Sequence, residues 1–307
     1  MNHDDNHDGR NKKDGAHRSR ALVLGAGGPV GRAWQSGLIA GLIDREIDLG
    51  DASLIIGTSA GAIVGAQLAL GSKFAAPSKL DLSVQAPPAS SSSDLSQLLA
   101  AIARAVRSSE PEIERAKIGA FAIAAQTASE EDSIARPAFA QIRGHPWPLR
   151  FRATALNAHT GKLQVWDASS GATLERAVAS SAAIPGVWPT ITIKGERYID
   201  GGIRSMLNAD LAMGCDIVIV VSCFALEVVG GIKNLDMATI NAALIAELGA
   251  LRNAASTLAV IAPNEAFLTL PHRGAAMMDG NLEPDAFRIG RAQALREAED
   301  IRSAWDS

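Results

Sequence analysis

The sequence predicts an α/β protein: a mostly parallel central sheet with helices on both faces, a three-layer α/β/α arrangement. Three observations point there. Apolar runs of strand length alternate with stretches of helical spacing through most of the chain, and that alternation builds parallel sheets covered on both sides. The first two strand-to-helix junctions are glycine turns, and ligands of such sheets bind at the carboxyl ends of the strands. Aromatic residues are only 4% of the 307, so the core is built from Ala, Val, Leu and Ile, which suits close packing of helix on sheet.

The elements follow in order. Residues 1–20 contain almost nothing apolar and are expected to form a disordered polar tail, with His3, His7 and His17 solvated. Ala21 to Leu24 is a strand. Val30 to Arg45 is a helix with Trp34, Leu38 and Leu42 on one face. Leu54 to Ile56 is a short buried strand and Ala60 to Leu70 a helix. Residues 83–94, SVQAPPASSSSD, are Pro/Ser-rich and read as a surface insertion loop. Two or three helices run to about Gln126. Phe151 to Asn157 and Leu163 to Asp167 are strands joined by a turn at Thr160-Gly161. A helix at Leu174 to Ser181 leads to a hairpin, Ile191 to Ile193 and Arg197 to Ile199, turning at Lys194-Gly195-Glu196. Leu207 to Met213 is expected as helix, Ile217 to Ser222 as strand, Met237 to Asn253 as helix, Thr257 to Ala262 as strand and Ala286 to Trp305 as a final helix. No internal repeat occurs, so residues 21–307 are expected to form a single domain.

Composition excludes several functions. A net charge of -4 and a pI near 5.9 argue against a nucleic-acid partner. Cys215 and Cys223 form no CxxC or Cys/His cluster, so buried reduced thiols are expected rather than zinc ligands. No apolar stretch follows Met1 as a secretory signal requires. The longest apolar run, Ile217 to Leu226, has ten residues, too few to span a bilayer. The expectation is a soluble cytoplasmic protein with no metal and no organic cofactor.

The chemistry sits in three short motifs. Residues 21–31, ALVLGAGGPVG, place four glycines in the seven positions from Gly25 to Gly31. Such a loop exposes backbone N–H groups and suits a dinucleotide pyrophosphate, a nucleotide phosphate or the oxyanion of an ester under hydrolysis. Residues 57–61, Gly57-Thr58-Ser59-Ala60-Gly61, are a GxSxG between a strand and a helix, the setting of a nucleophile elbow. Gly57 and Gly61 let the chain pass close to itself there, and the following helix aims its positive end at Ser59. Residues 198–202, Tyr198-Ile199-Asp200-Gly201-Gly202, put an acid at a strand end; alone, Asp-Gly also reads as an ordinary turn.

Together these motifs resemble the patatin-like phospholipase family. Gly37-Leu38-Ile39-Ala40-Gly41-Leu42 is similar to the family's helix after its glycine loop, and Ala179 to Gly186, ASSAAIPG, to its segment before DGG. The resemblance covers roughly residues 20–222. It implies hydrolysis of lipid acyl esters by a Ser–Asp dyad, with Ser59 as nucleophile and Asp200 as its base. It implies oxyanion donors in the loop at Gly25, Gly27 and Gly28, chiefly the last two; Pro29 has no N–H to offer. The implied partner is a lipid or acyl ester, with peripheral contact to a membrane surface. Val30 stands where the family usually carries Arg, and Ala26 where it carries Gly.

Three other readings stay open at this stage. A dinucleotide fold would need a glycine where Val30 stands and an acid where Gly57 closes the second strand. An α/β-hydrolase triad Ser59…Asp200…His272 has the right chain order but too few strands before the elbow. A catalytically weak lipid-binding protein of the same fold is kept open by Val30.

Overall fold

The computed structural model describes residues 18–77, 92–226, 234–274 and 276–307. The tail expected at 1–20 lies outside the described residues up to 17, and the loop expected at 83–94 lies outside them up to 91. At both borders structure begins earlier than expected. The N–H and Oγ of Ser19 both donate to the Asp216 carboxylate, and a helix already begins at Ser92.

The chain runs β1 (Arg20–Leu24), α1 (Gly28–Ile43), β2 (Leu54–Thr58), α2 (Ala60–Ala69), α3 (Ser92–Arg107), α4 (Pro111–Ala124) and α5 (Glu130–Ala135). It continues with β3 (Phe151–Asn157), β4 (Leu163–Trp166), α6 (Leu174–Ser181), β5 (Ile191–Ile193), β6 (Glu196–Asp200) and β7 (Ile217–Val221). It ends with α7 (Leu235–Ala254), β8 (Thr257–Ile261), α8 (Glu265–Thr269) and α9 (Glu283–Trp305).

β3-β2-β1-β7-β8 are parallel neighbours. β6 and β4 both pair antiparallel with β3, and β5 with β6. The sheet is therefore mixed but mostly parallel, and the fold is a three-layer α/β/α. Strand order leaves β1 in one direction through β2 and β3, and in the other through β7 and β8. The crevice at such a reversal is where open α/β sheets bind ligands, and the glycine loop after β1 opens there.

The central strands are buried on both faces, so β7 is apolar at every position and β1 and β2 at nearly every one. Leu22 and Leu24 join one cluster with Trp34, Leu38, Val64, Val178 and Ala294. Ala21 and Val23 point the other way and pack with Ile102, Ile118, Leu244 and Leu251. α1 and α9 meet along small residues. A Cβ on Gly37 would stand 2.0 Å from the Phe287 carbonyl oxygen, and one on Gly290 2.1 Å from that of Trp34. Gly37→Ala must push the two backbones apart. It is expected to cost at least about 1–3 kcal/mol, seen as a lower urea midpoint at unchanged slope.

One expected helix is not there. Leu207 to Met213 contains only the short 3-10 turn Ala209–Ala212. Asn208, left-handed at φ 52, and Gly214, at φ 94, bracket too few residues for α-helical bonding. α8 was not legible beforehand; Asn264 caps it by accepting the Phe267 N–H at 3.0 Å. Among the described residues no helix is long and apolar enough to cross a membrane.

Candidate active site

Ser59 stands between β2 and α2 with φ 55 and ψ -116. A non-glycine residue in this region is strained, and a strained strand-to-helix turn is the setting a nucleophile elbow needs. The two glycines of the motif make the turn possible. A Cβ on Gly61 would lie 2.0 Å from the Leu24 carbonyl oxygen, and one on Gly57 2.4 Å from Ala62 Cα. The backbone N–H of Ser59 donates to Ser181 Oγ at 2.9 Å.

Asp200 reaches Ser59 across β3. Thr58 pairs with Thr154, and the next β3 residue, Ala155, pairs with Asp200. Ser59 Oγ donates to Asp200 Oδ2 at 2.6 Å, and the Gly202 N–H donates to Oδ1 at 2.7 Å. Ser59 and Asp200 are each only 4% exposed. Burial raises the Asp200 pKa to about 7, against the opposing pull of the Ser59 and Gly202 hydrogen bonds. A carboxylate poised near neutrality is matched to general-base work at neutral pH.

The glycine loop divides its N–H groups between scaffold and free donors. The Gly25 N–H donates to Val221 O at 3.0 Å, the Ala26 N–H to Met206 O at 2.7 Å and the Val30 N–H to Met277 O at 3.2 Å. Gly25 is therefore corrected: its N–H is consumed by β7 and cannot bind an oxyanion. Its carbonyl instead ties the two glycine turns together, accepting the Gly61 N–H at 3.1 Å and Gln35 Nε2 at 2.7 Å. Gly27 and Gly28 keep N–H groups with no acceptor among the described residues, at the positive end of α1. Gly28 has φ 60, and a Cβ on Gly27 would stand 2.6 Å from Cys223 Sγ. Burial pushes the Cys223 thiol up to about 12, so it packs as a neutral side chain. Val30 is fully buried.

Several supporting residues were not singled out from sequence. Ser181 holds the elbow backbone. Asn208 Nδ2 donates to Thr58 Oγ1 at 3.1 Å and to Ser205 O at 2.8 Å, beside Gly201 O, so one side chain braces both the elbow and the turn after Asp200. The repeated small polar residues flanking both motifs were the only available signal. His272 lies exposed in a 3-10 turn. Because Ser59 bonds Asp200 directly, no imidazole stands between them, and the triad read as Ser59…Asp200…His272 in chain order is not formed. Among the described residues no group of three His, Cys, Asp or Glu side chains could hold a metal ion.

Among solved structures the chain is similar to VipD from Legionella pneumophila, at 11% identity and a TM-score of 0.42, over 93% of this chain and 67% of that one. It is also similar to the type III effector ExoU, at 16% identity and a TM-score of 0.35, over 89% of this chain and 53% of that one. ExoU of Pseudomonas aeruginosa in complex with SpcU matches at 16% identity and a TM-score of 0.31, over 90% and 53%. The chain thus spans about two thirds of VipD and about half of ExoU. No curated protein sequence matches it. The family model of patatin-like phospholipases matches residues 22–213, a stretch that contains the glycine loop, the elbow and Asp200. The chain belongs to the patatin-like phospholipase family, a family of lipid hydrolases.

Proposed function

We propose that this protein is a serine acyl hydrolase of lipid esters, of phospholipase A or lysophospholipase type, working through a Ser59–Asp200 dyad. The observation that carries the reading is the 2.6 Å hydrogen bond from Ser59 Oγ to a buried carboxylate, made at a strained strand-to-helix turn. Oγ attacks the ester carbonyl carbon while its proton passes to Asp200 Oδ2. The carbonyl oxygen becomes an oxyanion and is held by the N–H groups of Gly27 and Gly28, each worth about 3–4 kcal/mol of barrier by the usual cost of deleting one. The tetrahedral adduct collapses, the leaving alkoxide takes the proton from Asp200, and the acyl group stays on Ser59. Water then attacks the acyl-enzyme, gives its proton to Asp200, and the fatty acid departs as Ser59 recovers its hydrogen.

The sheet running from β5 to β8 supports reading residues 21–307 as one hydrolase domain. Release of fatty acid from phosphatidylcholine, lysophosphatidylcholine and a nitrophenyl ester tests the activity. Hydrolysis of at least one of them, lost in Ser59→Ala, is the expected result. Binding of the lipids with no turnover favours instead a lipid-binding protein of the same fold, the reading that Val30 supports.

Peripheral membrane contact is part of this proposal. On α4, Ile113 and Phe121 are 51% and 54% exposed, and Phe121 lies beside Gly186 in the segment leading to Asp200. Phe121→Ser is expected to lower cosedimentation with phosphatidylcholine vesicles severalfold, since burying a Phe side chain is worth about 1.5–3 kcal/mol. Unchanged sedimentation would remove α4 from the contact.

A further inference from the structure

Arg136 carries a positive charge that its surroundings leave unanswered. Its guanidinium carbon lies 3.5 Å over the Trp188 ring and 4.9 Å from that of Phe139. Nε donates to Ser133 O at 2.8 Å. Nη2 is buried with no acceptor. Among the described residues no carboxylate is paired with it. Burial, and then repulsion from nearby Arg32, push its pKa down to about 9, so it keeps its proton at neutral pH. Arg136 is half-buried; a partly desolvated cation without a counter-ion is costly, and a ring stacked on a guanidinium covers its face and not its edge.

The location gives this charge a use. Trp188 belongs to the segment whose Ser181 Oγ accepts the Ser59 N–H and whose Ala183 O accepts the Asp200 N–H at 3.1 Å. Arg32 sits on α1, the helix that begins at Gly28 of the glycine loop, and is itself paired with Glu283 at 2.5 Å. Arg136 therefore lies against the segment bound to the dyad and close to the helix that carries the free loop donors. Position 30, where the family usually has Arg, holds a buried Val.

We propose that Arg136, backed by Trp188, is the binding point for a phosphate group at the mouth of the site, either the phosphate of a lipid headgroup or free phosphate. The proposal rests on the lipid-ester reading of the same site and deepens it by naming the group that would take the headgroup charge. A phosphate oxygen at the part of the half-buried guanidinium that stays accessible answers the missing charge, and phosphate matches the guanidinium edge in shape.

The test measures binding, so it does not depend on turnover. Ser59→Ala protein is titrated calorimetrically with dibutyryl phosphatidic acid, dibutyrylglycerol and inorganic phosphate. Phosphatidic acid is expected to bind at least about tenfold more tightly than the uncharged glyceride, the scale of one hydrogen bond to a charged group. That ratio should fall to near one when Arg136→Gln is added and be only partly kept in Arg136→Lys. Arg136→Met keeps a long stem against Trp188 and gives the same comparison if the glutamine variant does not fold. Equal affinity for the two glycerolipids together with no binding of inorganic phosphate overturns the proposal, as does a ratio unchanged in the Arg136 variants. Inorganic phosphate that binds in an Arg136-dependent way makes free phosphate an occupant; lipid preference without it assigns the headgroup. Failure of wild-type protein to hydrolyse any ester would count against the dyad and leave these binding outcomes standing.

Discussion

Ser59→Ala is expected to lower kcat for ester hydrolysis by about 10⁵- to 10⁶-fold, the loss seen when a serine nucleophile is deleted. Among the described residues Ser59 is the hydroxyl that bonds the Asp200 carboxylate. The fold should survive. Alanine removes the hydroxyl from Asp200, whose carboxylate keeps the Gly202 N–H at 2.7 Å. The buried carboxyl then holds its proton more firmly and enters no unpaired charged state at neutral pH. The loop donors of Gly27 and Gly28 are untouched, so a residual rate above that in water is expected from the oxyanion contacts alone. A drop of tenfold or less would mean that Ser59 is not the attacking group.

The second large effect is a pH dependence. In the proposed dyad Asp200 must be ionised to take the Ser59 proton, and its pKa is raised to about 7, chiefly by burial. kcat/KM should therefore rise with pH, inflect near 7 and level off above it. Asp200→Asn should remove the inflection and lower the rate by about 10⁴-fold, the scale of losing the carboxylate partner in a serine hydrolase. His272→Ala should leave the inflection in place; its loss in that variant would contradict the dyad. Stability should move the other way. Below the ordinary carboxylate value of 3.8 both folded and unfolded chains hold this proton. Between 3.8 and about 7 only the folded chain keeps it, so the unfolded state binds fewer protons and stability falls as pH rises. Above about 7 the loss is complete. Asp200→Asn should thus stabilise the fold in mildly alkaline buffer, by an amount on the order of a few kcal/mol, and much less in acid.

Much of the site was legible because steric demands leave marks in single residues. Gly57 and Gly61 are required by backbone contacts of 2.4 Å and 2.0 Å that no Cβ could tolerate, and they frame the serine in sequence as in space. The hairpin at Lys194-Gly195 was legible for the same reason: its turn has φ 52 and 82, which a glycine-bearing tight turn supplies. Asp200 was harder. Its pairing with Ser59 depends on β3 lying between β2 and β6, so the family resemblance, not spacing, pointed to it. Gly25 was misassigned because a glycine shows that the chain is crowded but not which N–H is already spent; its acceptor, Val221, is on β7, far along the chain. The helix expected at Leu207 failed on backbone angles at Asn208 and Gly214 that apolar periodicity does not encode. Arg136 carried no signal at all, since its contact with Trp188 arises only when the strands between them are folded.

Intact-mass analysis after treatment with a fluorophosphonate tests the central claim most directly, on wild type beside Ser59→Ala and Asp200→Asn. One stoichiometric adduct on wild type, none on Ser59→Ala and slow labelling of Asp200→Asn is the result expected of an activated serine paired with its carboxylate. No adduct on folded wild type, or an adduct that persists in Ser59→Ala, would contradict it.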